Sequence, residues 1–78
     1  MEKYLNFIEE VKDIRGLKNI QVEYCNTYDS IYLNFTDKQF KTLDNENSKL
    51  FQDFSELVDD YGFRMEFKCY GTIEVYEE

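Results

Sequence analysis

Apolar residues recur at two different spacings along these 78 residues, and the points where one spacing gives way to the other dictate the fold. In "NIQVEYCN" (19–26) every second residue is apolar. Ile20, Val22 and Tyr24 face one way, and Gln21, Glu23 and Cys25 face the other. "SIYLNF" (30–35) repeats this with Ile31, Leu33 and Phe35 inward, and Tyr32 and Asn34 outward. The intervening "NTYD" is turn-like, which predicts a hairpin. "FRMEFKCYGTIEVYE" alternates twice around Tyr70-Gly71, a two-residue hairpin turn. There Phe63, Met65, Phe67, Cys69, Ile73 and Val75 are expected inward, and Arg64, Glu66, Lys68, Thr72, Glu74 and Tyr76 outward.

The other spacing is helical. Over residues 2–15, Tyr4, Leu5, Phe7, Ile8, Val11 and Ile14 spread across one broad face, opposite Glu2, Asn6, Glu9 and Asp13. Arg15 suits the dipole at that helix's end, and Gly16 stops it. Residues 47–61 form a second helix with Leu50, Phe51, Phe54, Leu57, Val58 and Tyr61 inward, ended by Gly62. Between 36 and 47 the pattern is weaker. Thr36 with Gln39 resembles a capping box, and Phe40 and Leu43 lie at helical spacing, so a short helix is expected with a third strand as the rival. "DNEN" reads as a loop.

The expected fold is therefore a single α+β domain over residues 1–78, in the order α-β-β-(α)-α-β-β. Two hairpins make a four-stranded, mainly antiparallel sheet with two helices packed on one face. Because the strands alternate instead of running continuously apolar, the other sheet face must be open to water or to a partner.

Composition narrows the chemistry. The chain has no His, so the commonest base near neutral pH is missing and no Ser-His or Cys-His nucleophile pair can form. Its three glycines are scattered, and none belongs to a phosphate loop. "DNENSKL" offers Asp44, Glu46 and Ser48 at alternating positions, but Lys49 falls where a calcium loop needs Gly and Ser55 where it needs Glu. Cys25 and Cys69 lie on expected strands without a paired metal motif. No enzyme, metal or cofactor is expected. The bias towards Asn, Lys, Glu, Asp, Ile, Tyr and Phe is what an AT-rich coding sequence gives, and points to a low-GC bacterium or one of its viruses. No apolar run reaches the roughly 18 residues of a spanning helix. The acidic, amphipathic start is not a signal peptide, so the cytoplasm is the expected compartment.

Net charge is −8, from 17 acids against 9 bases. Such a chain repels nucleic acid and anionic membranes and is drawn to basic surfaces. The acids gather. Asp53, Glu56 and Asp60 form a stripe on the outer side of the second helix, with Asp59 behind them and Lys49 at one end. Glu2, Glu9 and Asp13 form another on the first helix, with Glu10 beside it. Glu9 with Asp13 and Glu56 with Asp60 are like-charge i,i+4 pairs, each costing roughly 0.2–0.5 kcal/mol. A second surface joins the open sheet face to the tail: Tyr32, Tyr70 and Tyr76 with Glu23, Glu66, Glu74, Glu77 and Glu78. Solubility and codon bias account for acids like these without a function, and tyrosines are common on solvated sheets. The partner-binding candidates are Glu9, Asp13, Asp53, Glu56, Asp59, Asp60, Glu74, Tyr76 and Glu77.

With "EKYLNFIEEVKD", "FQDFSELVDDYG" and "IEVYEE", the chain resembles the small, acidic, aromatic-rich α+β proteins encoded by bacteriophages, among them anti-CRISPR proteins and other DNA mimics. The resemblance lies in composition and layout over the whole chain, and no motif aligns individual residues. It implies an inhibitor in the host-cell cytoplasm. The partner would be a CRISPR effector or another nucleic-acid enzyme with a basic groove, with no direct contact to nucleic acid. An antitoxin or immunity protein of the barstar type, covering a basic toxin site, carries the same electrostatics. An assembly module that oligomerises through the open sheet is the third reading. Oligomeric state is not legible in the sequence.

Overall fold

The alternating segments pair into one antiparallel sheet, and the helical segments close over one of its faces. A computed structural model describes residues 2–69 and 71–77. The elements are α1 (Glu2–Asp13), β1 (Gln21–Cys25), β2 (Ser30–Asn34), α2 (Asp37–Leu43), α3 (Lys49–Asp60), β3 (Phe63–Phe67) and β4 (Thr72–Glu77). This is the expected α+β order, with the middle segment helical. The sheet order is β1-β2-β4-β3, so the two hairpins join through their inner strands. Ile31 lies opposite Val75 and Leu33 opposite Ile73 in that join.

Those four aliphatic residues are fully buried and form the floor of the core. Tyr4, Phe7, Ile8 and Val11 of α1, Phe40 and Leu43 of α2, and Phe54 and Val58 of α3 cover them. The rings interlock edge-to-face. Phe7 lies 5.2 Å from Phe63 and 5.5 Å from Tyr61, and Phe35 lies 6.1 Å from Phe54, between centroids. α2 exists because its first turn is capped on both sides. Gln39 donates its backbone N–H to the Thr36 hydroxyl, and Thr36 donates its N–H to the Gln39 side chain. Gln39 also donates to the Gly16 carbonyl at 2.8 Å, tying the helix to the turn that follows α1. Ser48 caps α3 by accepting from the Phe51 N–H.

Several inward expectations fail at the margins. Leu5 is 48% exposed, because the buried stripe of α1 runs through residues 4, 7, 8 and 11 and leaves Leu5 on its flank. Phe67 is 36% exposed and Cys69 is exposed. β3 is an edge strand with a neighbour on one side only, so its last residues run out from under the helices. The Phe40 ring, 5.6 Å away, gives Phe67 partial cover. Both cysteines are free thiols. The expected Tyr70-Gly71 turn falls partly outside the described residues. Its Gly71 has φ +93, and a Cβ there would lie 3.3 Å from the Phe35 carbonyl. Among the described residues, no helix is long and apolar enough to cross a membrane.

Gly71→Ala should therefore lose about 1–2 kcal/mol of stability, from left-handed backbone strain plus the collision with Phe35. Gly62→Ala, also at positive φ but with nothing within 4 Å of the new methyl, should lose less. Urea midpoints of the two variants check the ranking.

Candidate functional site

Packing α1 beside α3 brings Glu10 and Asp13 of α1 into one groove with the acidic stripe of α3. Its lining holds five carboxylates, Glu10, Asp13, Asp53, Glu56 and Asp60, over an apolar floor of Ile14 and Leu57. The groove encloses about 320 Å³, and among the described residues no basic side chain lines it. At one end the Tyr61 hydroxyl donates to the Glu10 carboxylate, joining the end of α3 to α1. That bond is the main reason the Tyr61 hydroxyl is pushed above its ordinary pKa. At the other end Lys49 reaches Asp53 at 3.5 Å, with most of its side chain in water. Glu9, Asp13, Glu56, Asp59 and Asp60 form no ion pair among the described residues.

The placement works against the helix. α3 has no acid in its first turn and no base in its last. Asp59 and Asp60 instead sit at its negative end, where a carboxylate is unfavourable by about 0.3–1 kcal/mol. Capping and packing hold α3 in spite of these charges.

Not every candidate residue joins the groove. Asp59 turns away into a separate depression beside Arg64, and Glu9 is exposed on α1. Glu74 and Tyr76 lie on the open sheet face, and Glu77 near its end. In contrast to the helix side, these sheet acids are neutralised. Glu74 lies on a central strand and is only 7% exposed. It accepts a 2.6 Å hydrogen bond from the Ser30 hydroxyl and pairs with Lys68 at 3.1 Å. The Ser30 bond is the main force holding its carboxyl below the usual range, with Lys68 adding to it against the opposing pull of burial. Lys68 also meets Glu66 at 3.5 Å. Lys3 pairs with Glu77 at 2.7 Å and with Asp29 in the β1–β2 turn. Tyr24 donates its hydroxyl to the same Asp29 carboxylate, and Tyr4 donates to the Asp29 carbonyl.

Glu10 is the groove residue that the candidate set lacks. It was legible only as a neighbour of the α1 stripe; its membership depends on the side from which α3 approaches. Among the described residues, no three Cys, Asp or Glu side chains converge to hold a metal ion. The groove is thus a spread of separate charges with no point of convergence. Comparison with family models, curated proteins and solved structures finds no match to this chain.

Asp60→Asn removes both the unfavourable dipole contact and the like-charge pair with Glu56, and should raise stability by about 0.5–1 kcal/mol in low salt. The gain should shrink as salt is added, which urea titrations at two ionic strengths read directly.

Ser30→Ala leaves the buried Glu74 carboxylate without its shortest bond and should cost about 2 kcal/mol near neutral pH. A carboxyl whose folded pKa lies below its unfolded value stabilises the fold above that value. It stops doing so as pH falls through the folded value. The gap between wild type and Ser30→Ala should therefore narrow as pH drops below about 4.5. An equal gap at acid and neutral pH would contradict this account.

Proposed function

We propose that this protein is an acidic inhibitor that occupies a basic, nucleic-acid-binding surface of another protein, in the manner of an anti-CRISPR or DNA-mimic protein. The observation that carries this reading is the groove between α1 and α3, whose lining among the described residues holds five carboxylates and no basic side chain. Lysine and arginine side chains that hold phosphates bind carboxylates with the same geometry, and arginine does so with two parallel hydrogen bonds. A strongly negative surface also speeds encounter with a positive one. The choice of surface follows from the pairing pattern. Lys3 and Lys68 neutralise acids on the sheet side, whereas most of those in the groove stay open to a partner. Charge that opposes helix formation, as at Asp60, is better explained by a use outside folding.

The test is affinity capture from the native host, followed by binding measurements with the purified partner. Capture of a basic nucleic-acid enzyme supports the reading. The triple variant D53K/E56K/D60K should then bind at least about tenfold more weakly, because three attractive contacts become repulsive. Association should also slow as added salt shortens the screening length below about 10 Å. Binding indifferent both to the triple variant and to salt would reject the groove as the contact surface. Capture of a toxin whose basic active site is covered would assign the chain to the immunity class instead.

A further inference from the structure

The free edge of β3 carries the pattern needed to pair with itself. β3 ends the sheet order, with β4 on one side and, among the described residues, no strand on the other. Its backbone is half committed. The Lys68 N–H donates to the Thr72 carbonyl, in step with the register that places Glu66 opposite Glu74 and Arg64 opposite Tyr76. Antiparallel ladders alternate, so the N–H and C=O groups of Phe63, Met65 and Phe67 point outward from the sheet edge. Edge strands with such unpaired groups are ready to take another strand.

The side chains select which strand. The sequence of β3 is Phe-Arg-Met-Glu-Phe. If two copies run antiparallel about a two-fold axis at Met65, Phe63 meets the partner's Phe67 and Met65 meets the partner's Met65. On the open face Arg64 meets the partner's Glu66, and the symmetry gives that pair twice. Shifting the register by two residues in either direction, which keeps the same faces together, opposes Arg64 to itself or Glu66 to itself. The other free edge, β1, is Gln-Val-Glu-Tyr-Cys, and the equivalent pairing sets Glu23 against Glu23. Only the β3 edge is complementary to its own copy about its central residue.

Shape agrees with charge. Phe67 is the exposed phenylalanine of the strand. Beside Phe63 lies a depression of about 490 Å³ in which Val58, Phe63 and Met65 are joined by the polar Ser55, Asp59 and Arg64. In the Met65-centred register the partner's Phe67 arrives next to Phe63, at that depression.

From these observations we infer that this chain forms a two-fold dimer by edge-to-edge pairing of β3, joining two four-stranded sheets into one of eight strands. The groove between α1 and α3 plays no part in this, so the dimer stands or falls separately from the inhibitory reading.

Sedimentation equilibrium on the full chain tests it. At high concentration the wild type should approach twice the 9.5 kDa mass of one chain. Arg64→Glu alone and Glu66→Arg alone each turn two attractive cross-strand pairs into repulsive ones. Each should weaken the dimer at least about tenfold. Mixing the two single variants should restore dimerisation, because every facing pair is then opposite in charge, and the double variant R64E/E66R should dimerise alone. Rescue on mixing also shows that each single variant is folded. A single-chain mass for the wild type up to millimolar concentration overturns the proposal. So does a dimer that persists unchanged in both single variants.

Discussion

Everything in this molecule hangs on the junction between β2 and β4. There Ile31, Leu33, Ile73 and Val75 are stripped of water and sealed under three helices. Because the strands alternate, only one face of the sheet supplies apolar area, and every helix must compete for that face. The helices meet side by side above it, and their outer flanks meet as well. The acidic groove follows from this crowding. Ile14 and Leu57 pack against the core, and the charged residues next to them in each helix are left facing across a narrow gap. A domain of this size retains only a few kcal/mol of net stability. Against that margin, unneutralised carboxylates at the wrong end of α3 are a real cost.

The two sides of the molecule treat negative charge differently. On the sheet side, Lys68 gathers Glu66 and Glu74, and Lys3 gathers Asp29 and Glu77. These pairs serve architecture. Asp29, at φ 50 in the β1–β2 turn, takes bonds from Lys3, Tyr4 and Tyr24 and so fixes the hairpin to the start of α1. On the helix side the bond from Tyr61 to Glu10 is the main structural use of an acid. Apart from the exposed Lys49–Asp53 pair, the groove's remaining carboxylates face solvent.

Much of the fold was legible because periodicity records what is buried. The strand and helix segments lie within a few residues of their expected limits, and the Thr36–Gln39 capping box is formed as the sequence implies. The alternative of a third strand over residues 37–43 lost to that cap, which satisfies the first turn before any tertiary contact forms. Other features depend on three-dimensional neighbours and leave no trace in a local pattern. Glu74 alternates as an outward residue and does face the open side, yet Ser30 and Lys68 from flanking positions cover it. Phe67 alternates as an inward residue, yet the strand order places it at an edge. Glu10 enters the groove only because α3 lies on its side of α1. The stripe of Asp53, Glu56 and Asp60 was readable from helical spacing alone, since all three share one flank of one helix.

The strand order also governs how fast this chain can organise itself. Each hairpin closes a short loop, but β2 and β4 bring together residues about forty positions apart, with two helices to be accommodated between them. That closure carries the largest entropic toll, and the most deeply buried contacts reward it only afterwards. The rate-limiting event should thus be the meeting of two preformed halves, on the timescale of mixed α/β domains. Without a single proline in the sequence, no slow isomerising fraction of molecules should lag behind.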